Sequence, residues 1–306
     1  MFTLAVLLAT LASAYALSAF THSFSIPKII GKNEWNPSFS FTHGDLHAES
    51  DSAGRNSLPP IYAQCTTPDT VALAFGGGPY DFMYNISDTL TANGAKGTFH
   101  PLDFLGSRRG HNYQFIYSDE NIKRLRYVVA QGHQIASHTW SHPHLEDASP
   151  YWTLFTTSLK DDQVREELSK IHEAILRITG LKSSFLRPLF GSSPQSVRSI
   201  AASRGQALVI WSYDSGDSQL NARSSSSVRE QRSGYDSSWH FFLNHDAYDT
   251  MAHELVPYAV TKLKAAGYKM VTLVECLGLD AYQAVPIPVP PSKKDPYKFR
   301  NERDLQ

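Results

Sequence analysis

Two imidazoles four residues apart, in the run His138-Thr139-Trp140-Ser141-His142, carry the strongest chemical signal in this chain. On a helical turn they would face the same way and offer two nitrogen ligands to one Zn²⁺ or a similar cation. A bare pair at this spacing is more often two capping or core histidines, so the spacing alone decides nothing. Further reactive side chains stand at or just beyond the ends of short apolar runs. Arg187 follows Phe185-Leu186, Asp214 and Asp217 come after Val209-Ile210-Trp211, and His245 ends Leu243-Asn244-His245. Each has an ordinary reading by itself: a surface ion-pair former, two loop caps and a satisfied strand-end histidine.

The elements that must position these groups are short apolar runs alternating with helical patterns. Thr70 to Phe75 reads as a buried strand and Ile86 to Asn93 as a helix. Gly97-Thr98-Phe99 reads as a second strand, Glu120 to Gln131 as a helix, Gln134 to Ser137 as a strand, and Asp161 to Thr179 as a long amphipathic helix stopped near Gly180. Phe185 to Arg187, Ala207 to Trp211, His240 to Leu243 and Lys269 to Val274 complete the strands, with helices at Ser193 to Arg204 and Leu255 to Ala266. Repeated βα units predict a single α/β domain with a mostly parallel sheet, a barrel being favoured over an open sheet. The polar clusters then fall beyond strand ends, where such folds place their sites.

The remaining chain bounds the setting. Residues 1–16, uncharged and ending in Ala14-Tyr15-Ala16, read as a signal peptide, the crowding of small residues favouring cleavage over retention as an anchor. Residues 17–60 are polar and aperiodic, a loosely ordered leader, and 280–306 form a Pro-rich, charged tail expected to be disordered. Only two cysteines occur, Cys65 and Cys276; behind an export signal an even count suggests a disulfide. Asn85-Ile86-Ser87 is a glycosylation triplet, of a kind common by chance. With 28 basic against 29 acidic residues no global field steers the chain to nucleic acid or to a membrane once the signal is removed. A neutral partner and a monomeric, secreted protein, extracellular or in the cell wall, are expected.

Around the histidine pair runs Gly132-His133-Gln134-Ile135-Ala136-Ser137-His138-Thr139-Trp140-Ser141-His142-Pro143-His144-Leu145, which resembles the fungal chitin deacetylases of carbohydrate esterase family 4, the NodB-homology group. Further matching stretches are Ile61 to Pro79, Arg187-Pro188-Leu189-Phe190-Gly191, Val209 through Asp217, Leu243 to Asp246, His253-Glu254-Leu255 with Pro257-Tyr258, and Val274 to Gly278. The resemblance covers residues 61–279 and implies a distorted (β/α) barrel. It implies a hydrolase of carbon–nitrogen bonds acting on chitin, chitooligosaccharide or another N-acetylated cell-wall polysaccharide. It also implies a divalent metal, Zn or Co, held by one aspartate and two histidines.

His138 and His142 match the two imidazole ligands, and His245 the general acid. Arg187 matches the arginine that orients the base, and Asp214 and Asp217 match two carboxylates of which one braces the acid histidine. Pro79, Tyr80, Phe190, Trp211 and Leu243 fall at positions expected to meet sugar; Trp140, Tyr213 and Trp239 are aromatics more often found in a core. The family's first motif, Thr-Phe-Asp-Asp-Gly-Pro, appears here as Ala74-Phe75-Gly76-Gly77-Gly78-Pro79. Gly76 stands at the general base and Gly77 at the metal-ligand aspartate, and glycine has no side chain for either task. Metal binding is expected to be weakened or lost, and loss of a general base forfeits a factor of about 10² to 10⁴. Ser218 and Leu189 replace a usual tryptophan and proline, and Ala148 to Phe155 is an added apolar segment. The expected protein binds the polymer with little or no deacetylation; a working deacetylase and a non-catalytic partner-binding protein are the alternatives.

Overall fold

The computed structural model describes residues 58–103, 107–108, 111–112, 115–142, 159–191, 193–218 and 240–284. The signal peptide, nearly all of the leader, the 148–155 segment, Trp239 and the tail from 285 lie outside these residues.

The strand β1 (Ile61–Tyr62) is followed by β2 (Thr70–Gly76), in which all seven residues are buried, as a central strand covered on both faces requires. Helix α1 (Met83–Ala92) and β3 (Thr98–His100) come next, then the two-residue strands β4 (Ser107–Arg108) and β5 (His111–Asn112). Helix α2 (Asp119–Ala130) starts at Ser118, whose hydroxyl accepts the Asn121 N–H at 3.3 Å, with Asp119 and Glu120 at the positive end of its dipole. After β6 (Gln134–Ile135) comes α3 (Asp161–Thr179), which buries Val164, Leu168, Ile171, Ile175 and Ile178 at helical spacing. Gly180 stops it at φ 77°.

The second half of the chain is built likewise. It runs through β7 (Phe185–Leu186), α4 (Gln195–Ser203), β8 (Ala207–Val209), β9 (Tyr213–Asp214) and β10 (Phe241–His245). A single π-helical turn at Met251–Leu255 leads into α5 (Val256–Ala265), followed by β11 (Lys269–Val271) and α6 (Leu273–Leu277).

Two sheets, β1-β8-β7 and β6-β3-β2-β10-β9, are parallel throughout, with β11 lying against the first half of β2. Two single bridges join them. Ser137 pairs with Leu186 between β6 and β7, and Gln64 pairs with His240 between β1 and β10. The strands thus close on themselves as a distorted barrel, with the loosest seams where only one residue pair connects the sheets. One core lies between the strands and helices α1, α2, α3 and α5, where Phe75 stacks on Phe99 at 5.2 Å. A smaller one gathers Tyr62, Phe185, Val209 and Leu273.

Cys65 and Cys276 are bonded, tying the chain beyond β1 to α6 across 211 residues. Closing so long a loop contributes roughly 5 kcal/mol on the chain-entropy account. This staple sits beside the start of β2, since Thr66 and Thr67 donate their N–H groups to the Cys276 carbonyl. The far end of β2, about 20 Å away at strand rise, is where the reactive groups collect.

Three expectations shift. Leu273 and Val274 open α6 instead of extending the strand, because Thr272 and Glu275 form a reciprocal cap that starts a helix there. His138 and His142 follow β6 on an irregular segment, not a helical turn: Ser137 is still engaged as a strand bridge to Leu186, and the bend comes only at Trp140 and Ser141. Ala281, Tyr282 and Gln283, at the head of the expected disordered tail, are docked. The Tyr282 hydroxyl accepts the Ile135 N–H, and the Gln283 amide donates to the carbonyls of Ser183, Arg204 and Gly205.

Candidate functional site

Gly76, the last residue of β2, lies between two histidines on the neighbouring strands. It is paired in register with His100 of β3 on one side and with His245 of β10 on the other. Gly76 points into the barrel mouth: a Cβ built on it would overlap the Nη2 of Arg187 and lie 3.0 Å from its Cζ. The guanidinium therefore occupies the space a side chain at 76 would fill. Gly77 has φ +86°, a region L side chains rarely adopt, and its Cβ would face the His245 ring at 3.6 Å. At Gly78 a Cβ would overlap the Asp246 carboxylate, and Pro79 follows through a cis bond.

The β10 side of the mouth is fully assembled. Asp217, 1% exposed, accepts the His245 backbone N–H through Oδ2 at 2.6 Å and its ring Nδ1–H through Oδ1 at 2.8 Å. Nδ1 is thereby committed, and Nε2 is left as the atom that can hold or release a proton. Burial depresses the His245 pKa, but the Asp217 charge and hydrogen bond, helped by Asp214, outweigh it and leave the pKa raised. Asp214 closes a small turn by accepting the Gly216 N–H at 2.8 Å.

Arg187, 2% exposed, is pushed down to about 10 by burial, against the pull of Asp246, Asp217 and Asp214. Its Nη1 has no hydrogen-bond partner, nor has the Oδ1 of Asp246, whose carboxyl burial lifts to about 7. An Arg187 Nη1 without a hydrogen-bond partner is consistent with the absence of a side chain at 76.

On the β6 side, the His138 ring sits 5.8 Å from that of His142, centroid to centroid. The His138 Nδ1–H donates to the Arg187 carbonyl at 2.6 Å, and burial, then the Arg187 charge, hold its pKa well below the ordinary value. His142 has φ 59°, and its ring meets Phe190 edge-on at 5.6 Å. Phe190 is itself at φ 52° and 51% exposed, an aromatic held outward beside the histidines. Backbone in this sparsely populated region clusters at functional sites.

Of the other expected sugar contacts, Leu243 pairs with Ala74 and Asp214 within the sheet, Tyr80 packs on Phe82 at 5.8 Å, and Trp211 is half-buried just past β8. Trp140 is buried in the main core and Tyr213 packs against it, as aromatics usually do. Asn85 is exposed on α1, while Ser87 of the same triplet is buried against His133.

A family model described as polysaccharide deacetylase matches residues 63–209, the span that includes Gly76, the histidine pair and Arg187. A chitin deacetylase from Pestalotiopsis is 29% identical over 73% of this chain and 70% of its own length. The chain belongs to the polysaccharide deacetylase family. The structure of the chitin deacetylase of Colletotrichum lindemuthianum superposes with a TM-score of 0.63 at 23% identity, covering 74% of this chain and 97% of that one. A family pseudoenzyme from Bacillus anthracis has the same fold, with a TM-score of 0.57 at 19% identity over 71% of this chain and 69% of its own.

Polysaccharide deacetylases are generally metal-dependent, so this chain's donors can be tested against such an ion. Two imidazoles are in place, with no carboxylate opposite them at 77. Among the described residues no group of three or more His, Cys, Asp or Glu is arranged to hold a metal. The residues present do not fit an aspartate-held cation.

Two members of this site are absent from the expectation. His100 lies one residue past the run read as a strand, yet two-residue alternation from Thr98 would have placed it on the inward face. Asp246, next to His245, is a carboxylate whose role appears only once the strands bring it over Gly78.

Proposed function

We propose that this protein is a secreted polysaccharide deacetylase homologue that binds N-acetylglucosamine polymers, chitin and its oligomers above all, and deacetylates them little or not at all. The observation that carries this reading is the Arg187 guanidinium standing in the side-chain space of Gly76. A deacetylase must generate a nucleophile, and the barrel mouth has no carboxylate at the end of β2 to take a proton from water. His245, braced by Asp217, is set to hand a proton to a leaving amine, and Arg187 lies buried among Asp246, Asp217 and Asp214. Both serve a reaction whose first step lacks its base.

Binding needs less. Phe190 offers an exposed apolar face beside His142, and the His245 Nε2 offers hydrogen bonding to a sugar hydroxyl or acetamide. The disulfide is consistent with an oxidising, extracellular setting, and no described helix is long and apolar enough to cross a membrane.

Pull-down on insoluble chitin, with acetate release from chitin oligomers followed in the same preparation, tests the reading. Retention on chitin without turnover is the expected pair of results. Failure to bind, or turnover at the level of an ordinary family member, overturns it.

A further inference from the structure

The segment after β6 leaves the sheet before it reaches His142. Ser137 is paired with Leu186 by a single bridge, and the chain then bends at Trp140 and Ser141. His142 follows at φ 59°, a conformation that residues other than glycine adopt sparingly. Backbone of this kind persists only where its surroundings over-determine it. Ser141 is exposed and belongs to no strand, so neither burial nor sheet pairing fixes the residue before His142.

The fixing group comes from α3. The half-buried Glu167 carboxylate accepts the Ser141 backbone N–H through Oε2 at 2.7 Å and the Ser141 hydroxyl through Oε1 at 2.8 Å. Both oxygens are thus committed to one residue. Hydrogen bonds to a carboxylate are stronger than those between neutral groups, and a grip at two points sets orientation as well as position. Glu167 stands on a rigid base, since Val164, Leu168 and Ile171 around it on α3 are buried in close-packed surroundings. The residue so held adjoins the imidazole whose ring meets Phe190 edge-on at 5.6 Å. Phe190 is the 51% exposed aromatic that the sugar reading places against the polymer.

We propose that Glu167 is a positioning residue for the sugar-binding face. Acting through Ser141, its carboxylate holds the His142 ring against Phe190, so that the aromatic surface offered to the polymer is preformed. A preformed surface binds more tightly because less ordering is left to the moment of binding. The consequence for affinity rests on the sugar reading above, whereas the grip on the His142 segment is a property of the protein alone.

The test uses the full chain, a chitin oligomer as the probe and two substitutions at one position. Glu167→Ala removes the grip, and Glu167→Gln keeps its shape with an amide that can still meet the Ser141 N–H and hydroxyl. In Glu167→Ala, exchange of the Ser141 backbone amide should speed at least about 10-fold, the His142 imidazole resonances should move, and oligomer affinity should fall at least about 10-fold. Glu167→Gln should restore the resonances and bring affinity to within about 3-fold of native. Thermal melting checks folding; Ser141→Ala, which leaves α3 untouched and deletes only the hydroxyl bond, should weaken affinity about 3-fold and serves if Glu167→Ala does not fold. Native exchange at Ser141 in Glu167→Ala, native affinity in both alanine variants, or a loss of affinity with unmoved His142 resonances overturns the proposal. A native chain that binds no oligomer overturns the sugar reading by itself, and Ser141 exchange with the His142 resonances then decides whether Glu167 holds the segment.

Discussion

The two sides of the barrel mouth differ in what they have kept. On the β10 side, His245 is gripped at two points by a buried carboxylate, with Asp214 and Arg187 close enough to shift its titration. On the β2 side, three glycines follow Phe75, and the space of a side chain is taken by the end of an arginine from across the barrel. On the reading proposed above, the supporting apparatus remains and the group it would support is absent. Support residues are buried and bonded, so they carry folding as well as chemistry; a carboxylate at the solvent end of β2 carried mainly chemistry. On that reading a site without its base can hold its shape.

If that contrast is right, the largest effect belongs to the β10 side. Asp217→Ala strips His245 of the two hydrogen bonds that Asp217 accepts from it and is expected to destabilise by about 3–5 kcal/mol in urea unfolding. A loss below about 1 kcal/mol would mean that the bracing is decorative.

Next in size is a pH effect. Asp246 is lifted to about 7, above its unfolded value, so the folded chain keeps a proton that the unfolded chain releases. Its contribution to stability is fully present below about pH 4 and is lost as pH rises through about 7. Native stability relative to Asp246→Asn should therefore fall between these limits by on the order of 4 kcal/mol. The depressed buried histidines His133 and His172 are common to both chains and cancel. A difference that does not vary with pH would place the Asp246 carboxyl in a more polar setting than its burial indicates.

Smaller still is the asymmetry between the two glycines. Gly77→Asp forces a side chain onto φ +86° and is expected to cost about 1–3 kcal/mol. Gly76→Asp displaces only the flexible end of Arg187 and gives it a carboxylate, so the cost should stay below about 1 kcal/mol. Equal costs would show that the β2 end is not differentiated in this way.

Much of this was legible in the sequence, for definable reasons. The fully apolar β2 and the periodic face of α3 are long enough for their patterns to be unambiguous. β1 and β9, two residues each, exist only because β8 and β10 lie beside them, and no local pattern marks them. The five-residue α6 was hidden by its apolar content, although its Thr272 and Glu275 cap was there to be read. Within the site, the histidines and Arg187 were visible as residue types at the ends of apolar runs. What the chain does about its missing carboxylates was not visible. The placement of the Arg187 guanidinium in the Gly76 space and the pairing of His100 with Gly76 emerge only when the strands are brought together.

The most direct test of the central claim is acetate release from chitin oligomers by the native chain and by the Gly76→Asp, Gly77→Asp double variant, side by side with Zn²⁺ or Co²⁺ supplied. The account predicts no measurable turnover from the native chain and a rise of at least about 100-fold on restoring the two carboxylates. Native turnover equal to that of the double variant would contradict it.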